Sequence, residues 1–279
     1  MSNQALSLQT NVGSLNAQRA IAKTEKSLGT SMSRLASGMR IISGADDAAG
    51  LAISEKMKAQ IRGMAQAQRN ANDGVSLLQT AEGALNEVSD MLTRMRELAI
   101  ESANGTLGNN ERISIDDEYT QLVNEINRIA GATEFNGLKL LNGNLSTGVT
   151  FQVGTQNNAT NDRITVSLAN TTAASVGLTG GITLSTVTGA QNSLALIDSA
   201  IQSVSSRRGT VGAMQNRLNV TINNLAAMHE NLSAANSRIR DADVASEAAN
   251  FTRTQILMQS GISVLSQANQ LPQLALSLL

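Results

Sequence analysis

The sequence predicts a mainly α fold, an elongated rod of long antiparallel coiled-coil helices. The expected parts are paired N- and C-terminal helices, a three-helix shell, and a small β-hairpin and loop segment in the middle. Three observations predict it. Apolar residues recur every seven positions from Met64 to Ala99 and again from Ala190 to Ile239. The single proline, Pro272, leaves both runs unbroken. Between Gly131 and Gly189 the composition turns to Asn, Thr, Gly and Ser with short period-two stretches.

At the N-terminus Leu28, Met32, Leu35, Met39 and Ile42 repeat at 4-3-4-3 spacing, with Leu8, Val12, Leu15 and Ile21 upstream. One amphipathic helix running to Ile42 is the expectation. Acidic residues at Asp46-Asp47 favour the start of the next helix. Its seam is Met64, Ala71, Leu78, Leu85, Leu92 and Ala99, with Ala67, Gly74, Ala81, Val88 and Met95 three positions further on. Small residues in such a seam let helices approach closely, and Asn104-Gly105 is a common helix stop. A third helix fits Asn110 to Ala130 through Ile115, Tyr119, Leu122, Ile126 and Ile129, with Gly131 ending it.

In the middle, Val149-Phe151-Val153 and Ile164-Val166-Leu168 alternate as strands do, and Asn136-Gly137 and Asn142-Gly143 are hairpin-turn pairs. The fourth helix carries Ala190, Ile197, Val204, Val211, Leu218, Leu225, Leu232 and Ile239, with Leu194, Ile201 and Ile222 beside them. The last carries Val244, Ala248, Phe251, Met258, Ile262 and Leu265. A terminal stripe needs an apolar partner to be stable in water, and each is the natural partner of the other. Helices of ~50 to 60 residues would span roughly 75 to 90 Å. A compact globule of this length would be only about 50 Å across, which is why a rod is expected.

Composition excludes several functions. The 279 residues carry a net charge of −1, no Cys, no Trp and one His. Thiolate metal sites and disulfides are out, and a phosphate-backbone binder would need a basic surplus. Tyr119, Phe135, Phe151 and Phe251 are the only aromatic residues, too few for a base-stacking platform. No stretch of ~18 apolar residues predicts a membrane span. Met1 to Gln18 hold no Lys, Arg or apolar block, so a cleaved secretory signal is not expected.

Catalytic patterns are equally sparse. His229-Glu230 opens a His-Glu-x-x-His zinc motif, but position 233 is Ser, so the second ligand is missing. Asp46-Asp47, Asp116-Asp117 and Asp241-x-Asp243 read as helix-start acids, since adjacent acids on a helix diverge by about 100°. No phosphate-cradling or nucleophile-elbow motif is present. The expectation is a non-enzyme without metal or cofactor. Asn-x-Ser/Thr triplets arise by chance in so Asn- and Ser-rich a chain.

The runs Ser14-Leu15-Asn16-Ala17-Gln18-Arg19, Arg34-Leu35-Ala36-Ser37-Gly38-Met39-Arg40-Ile41 and Gly44-Ala45-Asp46-Asp47-Ala48-Ala49-Gly50-Leu51-Ala52-Ile53 resemble the N-terminal signature of bacterial flagellin. Asn72-Asp73-Gly74-Val75-Ser76-Leu77-Leu78 and Arg96-Glu97-Leu98-Ala99 extend it. Arg238-Ile239-Arg240-Asp241-Ala242-Asp243 and Gln267-Ala268-Asn269-Gln270-Leu271-Pro272 are similar to the C-terminal signature. The resemblance spans roughly residues 1–141 and 189–279, and the middle is short for the family.

The resemblance implies an extracellular filament subunit that serves swimming motility and is exported without a cleaved signal. By analogy, residues 1–43 with 240–279 form an inner terminal-helix pair, 44–138 with 189–239 the helical shell, and 139–188 a short outer segment. Self-assembly would rest on Leu28, Leu35, Ile42, Val244, Phe251, Met258 and Leu265. The implied partners are further copies of the chain, the flagellar cap, the hook–filament junction proteins and an export chaperone. The chaperone would hold the segment with Leu271, Leu274, Leu276, Leu278 and Leu279. A vertebrate Toll-like receptor would meet Arg94, Leu98 and Glu118. The rival readings are the hook–filament junction protein of the same fold and a cytosolic coiled-coil signalling rod.

Overall fold

The computed structural model describes residues 11–178 and 182–277, without the side chains of 271–277. The described chain forms helices α1 (Val12–Ser37), α2 (Ala48–Ser102) and α3 (Asn109–Ala132). Strands β1 (Glu134–Phe135), β2 (Leu138–Lys139), β3 (Val149–Gln152) and β4 (Arg163–Val166) follow, then helices α4 (Val187–Arg240) and α5 (Val244–Ser277). Mainly helical architecture is thus as expected. The chain divides into two compact units, residues 60–230 and the two ends up to 59 and from 231. This division falls inside α2 and α4, whereas the family resemblance implies one at 43/44 and 239/240.

The unit 60–230 is built on the heptad seams. On α2, Ala71, Leu78, Leu85, Leu92 and Ala99 are all buried, as are Ala67, Ala81, Val88 and Met95. On α4, Ala190, Ile197, Val204, Val211, Leu218 and Leu225 are buried, and Ile115, Tyr119, Ile126 and Ala130 of α3 complete the three-helix core. Seven-residue spacing keeps one stripe facing the partners over many turns. Gly74 allows a close approach: a Cβ there would stand 3.1 Å from Leu218 Cδ1 and 3.4 Å from the Phe151 ring.

Gly131 does not end α3, which continues to Ala132 and stops as Thr133 turns extended. A helix-interior glycine costs only ~1 kcal/mol, which the buried face of α3 overrides. Asn136-Gly137 does make the two-residue turn between β1 and β2, with φ of 49° and 78°. Positive φ at both positions matches the twist of the flanking strands. Asn142-Gly143 forms a bend without strands, contrary to the hairpin expectation. There the Asn142 side chain accepts from the Asn144 N–H at 3.0 Å and holds a local turn instead. The alternating segments pair as antiparallel β3 and β4, with Phe151 opposite Ile164.

In the other unit, α1 packs against α5, the pairing expected of the two ends. Asn11 caps α1 by accepting from the Ser14 N–H at 3.0 Å, and its amide donates to the Ala268 carbonyl at 2.7 Å. Gly38, in the left-handed region at φ 69°, ends the helix. Met39 and Ile42 therefore lie beyond α1 rather than on its stripe. The links between helices run side by side there. The Arg40 N–H donates to the Arg240 carbonyl at 2.7 Å and the Ala242 N–H to Gly38 at 2.9 Å.

Candidate assembly surface

The face that α1 and α5 present to each other is mixed. Along α1 it runs Ser14, Ala17, Ile21, Thr24, Leu28, Ser31 and Leu35, and along α5 Glu247, Phe251, Thr254, Met258, Gly261, Leu265 and Ala268, all at least half-buried. Threonine hydroxyls are accommodated in this face by donating back along their own helix, Thr24 to Ala20 at 2.9 Å and Thr254 to Phe251 at 3.1 Å. Gly261 brings the helices together, since a Cβ there would stand 3.1 Å from Ile21 Cγ1.

Of the expected assembly residues, Leu28, Leu35, Phe251, Met258 and Leu265 lie in this intrachain seam. Ile42 and Val244 do not. Ile42 is 38% exposed and Val244 60% exposed. Ile42 is displaced because Gly38 ends the helix first, and Val244 sits in the first turn of α5, rotated to the flank. Met32 and Ile262 of the predicted stripes are likewise more than half exposed.

Burial separates this unit from the other. On α1 only Ser14 and Ser31 are buried, and on α5 no side chain from 244 to 270 is. Large apolar side chains face outward instead: Val12, Leu15 and Met32 on α1, and Val244, Ile256, Leu257, Ile262 and Val264 on α5. This concentration of exposed apolar side chains on one helix pair makes it the candidate interaction surface.

Charged groups organise the links. Asp46 accepts from the Ser43 N–H at 3.0 Å and the Ile42 N–H at 3.3 Å, and Arg34 lies 3.8 Å away. The Ser43 backbone bond leads in holding this carboxyl below its ordinary range, aided by Ile42, the Ser43 hydroxyl and Arg34. Arg34 also reaches Glu247 of α5 at 3.9 Å. The helix-start reading holds for Asp47, which accepts from Gly50 N–H at 2.8 Å, and for Asp243, which accepts from Ala245 at 3.0 Å. It fails for Asp116, which lies within α3 and accepts from the Leu184 N–H at 2.7 Å, tying a loop to the helix.

In the unit 60–230, Arg94 and Glu118 are exposed and joined, Nε to Oε1 at 2.9 Å, and Arg94 also meets Glu97 at 3.2 Å. These carboxylates, Glu118 foremost, hold the guanidinium pKa up. Leu98, expected on the same face, is 1% exposed and belongs to the core. Leu98 lies between the seam residues Met95 and Ala99, all three buried, so its side chain joins the core although Arg94 is exposed. Of the leucines expected to meet a chaperone, Leu271, Leu274 and Leu276 fall on the last turns of α5, and Leu278 and Leu279 lie outside the described residues.

Sequence reasoning missed Arg112. It is buried and donates from Nε, Nη1 and Nη2 to the carbonyls of Ser102, Leu107 and Asn104 at 2.9, 2.7 and 2.7 Å. It thereby caps the end of α2 from the first turn of α3, and a lone arginine in a polar stretch carries no signal of that. Among the described residues, no group of three or more His, Asp or Glu side chains is placed to hold a metal. Nor is any helix long and apolar enough to cross a membrane.

Heptad-built helices with α1 packed on α5 define a coiled-coil protein, and among the described residues that terminal pair exposes eight large apolar side chains. The family described as bacterial flagellin N-terminal helical region matches residues 8–146, and that described as bacterial flagellin C-terminal helical region matches 194–279. The chain is 46% identical over 273 residues to a flagellin of Halalkalibacterium halodurans, covering 96% of this chain and 98% of that one. It is 40% identical to the flagellar filament core protein flaB2 of Brachyspira hyodysenteriae, covering 98% and 99%. The crystal structure of Bacillus cereus flagellin superposes with a TM-score of 0.50 at 34% identity, over 60% of this chain and 94% of that one. The chain belongs to the bacterial flagellin family.

Proposed function

We propose that this flagellin, a structural subunit of the bacterial flagellar filament, completes the folding of its terminal helices only on joining the filament. The observation that carries the proposal is the contrast in burial. α2 buries its heptad seam from Met64 to Ala99 and α4 from Ala190 to Leu225, though Leu232 and Ile239 further on are only half-buried. By contrast, the α1–α5 pair buries only Ser14 and Ser31 and leaves eight large apolar side chains exposed. Fully burying a Leu, Ile, Val or Met side chain stabilises by ~1.5–3 kcal/mol. Ordering a residue's backbone costs ~1–2 kcal/mol. A helix pair with so little buried surface stands near balance alone, and neighbouring copies that cover Ile256, Leu257 and Val264 tip it toward the folded state. A contact between unlike surfaces of identical subunits adds copies without closing, which generates a helical filament.

The same reading makes the protein extracellular and non-enzymatic, with the filament itself as its main partner. The cap, hook–filament junction proteins and export chaperone are its further partners, the last through the leucines of 271–279. The exposed Arg94–Glu118 pair is the face offered to a vertebrate Toll-like receptor, with Leu98 supporting α2 from beneath.

Electron microscopy of the purified chain under assembly conditions tests the reading. The native chain is expected to form long filaments. A Leu257→Ser/Val264→Ser variant is expected to remain monomeric, with the helix content of α2–α4 intact. Filament growth by that variant at the native rate would overturn the reading.

A further inference from the structure

A cavity of about 260 Å³ lies in the unit 60–230, among α2, α4 and the segment around β4. Leu78, Leu85, Leu141, Val166, Val211 and Met214 give it apolar walls, and Arg207 stands among them. Arg207 Nη1 donates to the Asn170 carbonyl and to Thr171 Oγ1, and Nη2 donates to the Ser175 carbonyl at 3.2 Å. A guanidinium has five N–H donors. Nε–H and one Nη2–H, donors enough to meet both oxygens of a carboxylate, are given no acceptor among the described residues. Nor does Arg207 form an ion pair with any described carboxylate, and burial alone lowers its pKa with no acid to offset it. Half-buried and without a counter-charge, this cation lines a cavity whose walls are mostly apolar.

We propose that this cavity binds a small amphiphile with a carboxylate head and a medium-length apolar tail, the head on the Arg207 fork and the tail against the leucine and valine walls. A dry cavity of ~150 Å³ accepts benzene, so the larger chamber has room for a chain of roughly eight carbons and its carboxylate. The inference is independent of the assembly reading, since every residue in it belongs to the unit 60–230.

Calorimetric titration of the full-length monomer with octanoate, octanol and octylammonium tests it. Octanoate is expected to bind roughly tenfold or more tightly than octanol, as a charge-assisted fork predicts, and octylammonium not at all. Arg207→Gln should bring octanoate down to the octanol level. Thr210→Trp, an exposed position on the cavity lining, should weaken octanoate and octanol alike without loss of helix content. Three results would overturn the proposal: equal binding of octanoate and octanol, octanoate binding unchanged in Thr210→Trp, or no saturable binding. If octanoate fails to bind while Arg207→Gln halts filament growth, the fork serves a carboxylate of a second copy and the proposal is wrong.

Discussion

Single side chains close the turns on which the helices depend. Arg112 satisfies the Ser102 carbonyl at the end of α2 and the Asn104 and Leu107 carbonyls of the loop that follows, and each buried acceptor left unmade costs ~1–3 kcal/mol. Arg112→Ala is therefore expected to destabilise by about 2–4 kcal/mol in urea unfolding, while Arg128→Ala, on an exposed pair, should change stability little. Asp46 gives a pH dependence with a definite sign. Its carboxyl is depressed in the folded state, so its contribution is complete above the ordinary carboxylate range and is lost as pH falls through the lowered value. Acid titration followed by circular dichroism should show α1 and α5 loosening below about pH 4, and Asp46→Asn should already show that loosening at neutral pH. Arg94→Ala removes both its ion pairs. It should lower receptor activation with no measurable change in melting, because exposed pairs contribute only ~0–1 kcal/mol. Such roles are poorly legible in a sequence, since a capping arginine and a solvated one read alike.

Helices were legible where packing is repetitive. The α4 residues spaced by seven from Ala190 to Leu225 are all buried, because a sustained apolar period admits one stable arrangement in water. Boundaries were less legible, because glycine has two uses. Gly38 reaches the left-handed region and ends α1, whereas Gly131 remains helical inside α3. Glycine also permits close approach. Gly74→Val would drive a branched side chain into Leu218 and Phe151, and overpacking of this kind costs ~1–3 kcal/mol, which urea unfolding of the monomer should register. Gly261→Val should spare the monomer's main unfolding transition and impair filament growth, because it acts on the α1–α5 approach alone. The α1–α5 face itself was half legible. Its large apolar members were found, but Thr24, Ser31, Thr254 and Gly261 were not, since small and hydroxyl-bearing residues carry no hydrophobic period.

At the scale of the whole molecule, the two units divide stability unequally. The unit 60–230 encloses a continuous core, and the terminal pair leaves much of its apolar surface to water. Local opening follows that distribution, with regions of few buried contacts opening at low free energy. Hydrogen–deuterium exchange of monomer and filament side by side tests the central claim most directly. Amides of α1 and α5 should exchange within seconds to minutes in the monomer and become strongly protected in the filament, while Leu78 to Met95 of α2 stay protected in both. Equal, strong protection of α1 and α5 in the free monomer would contradict the account.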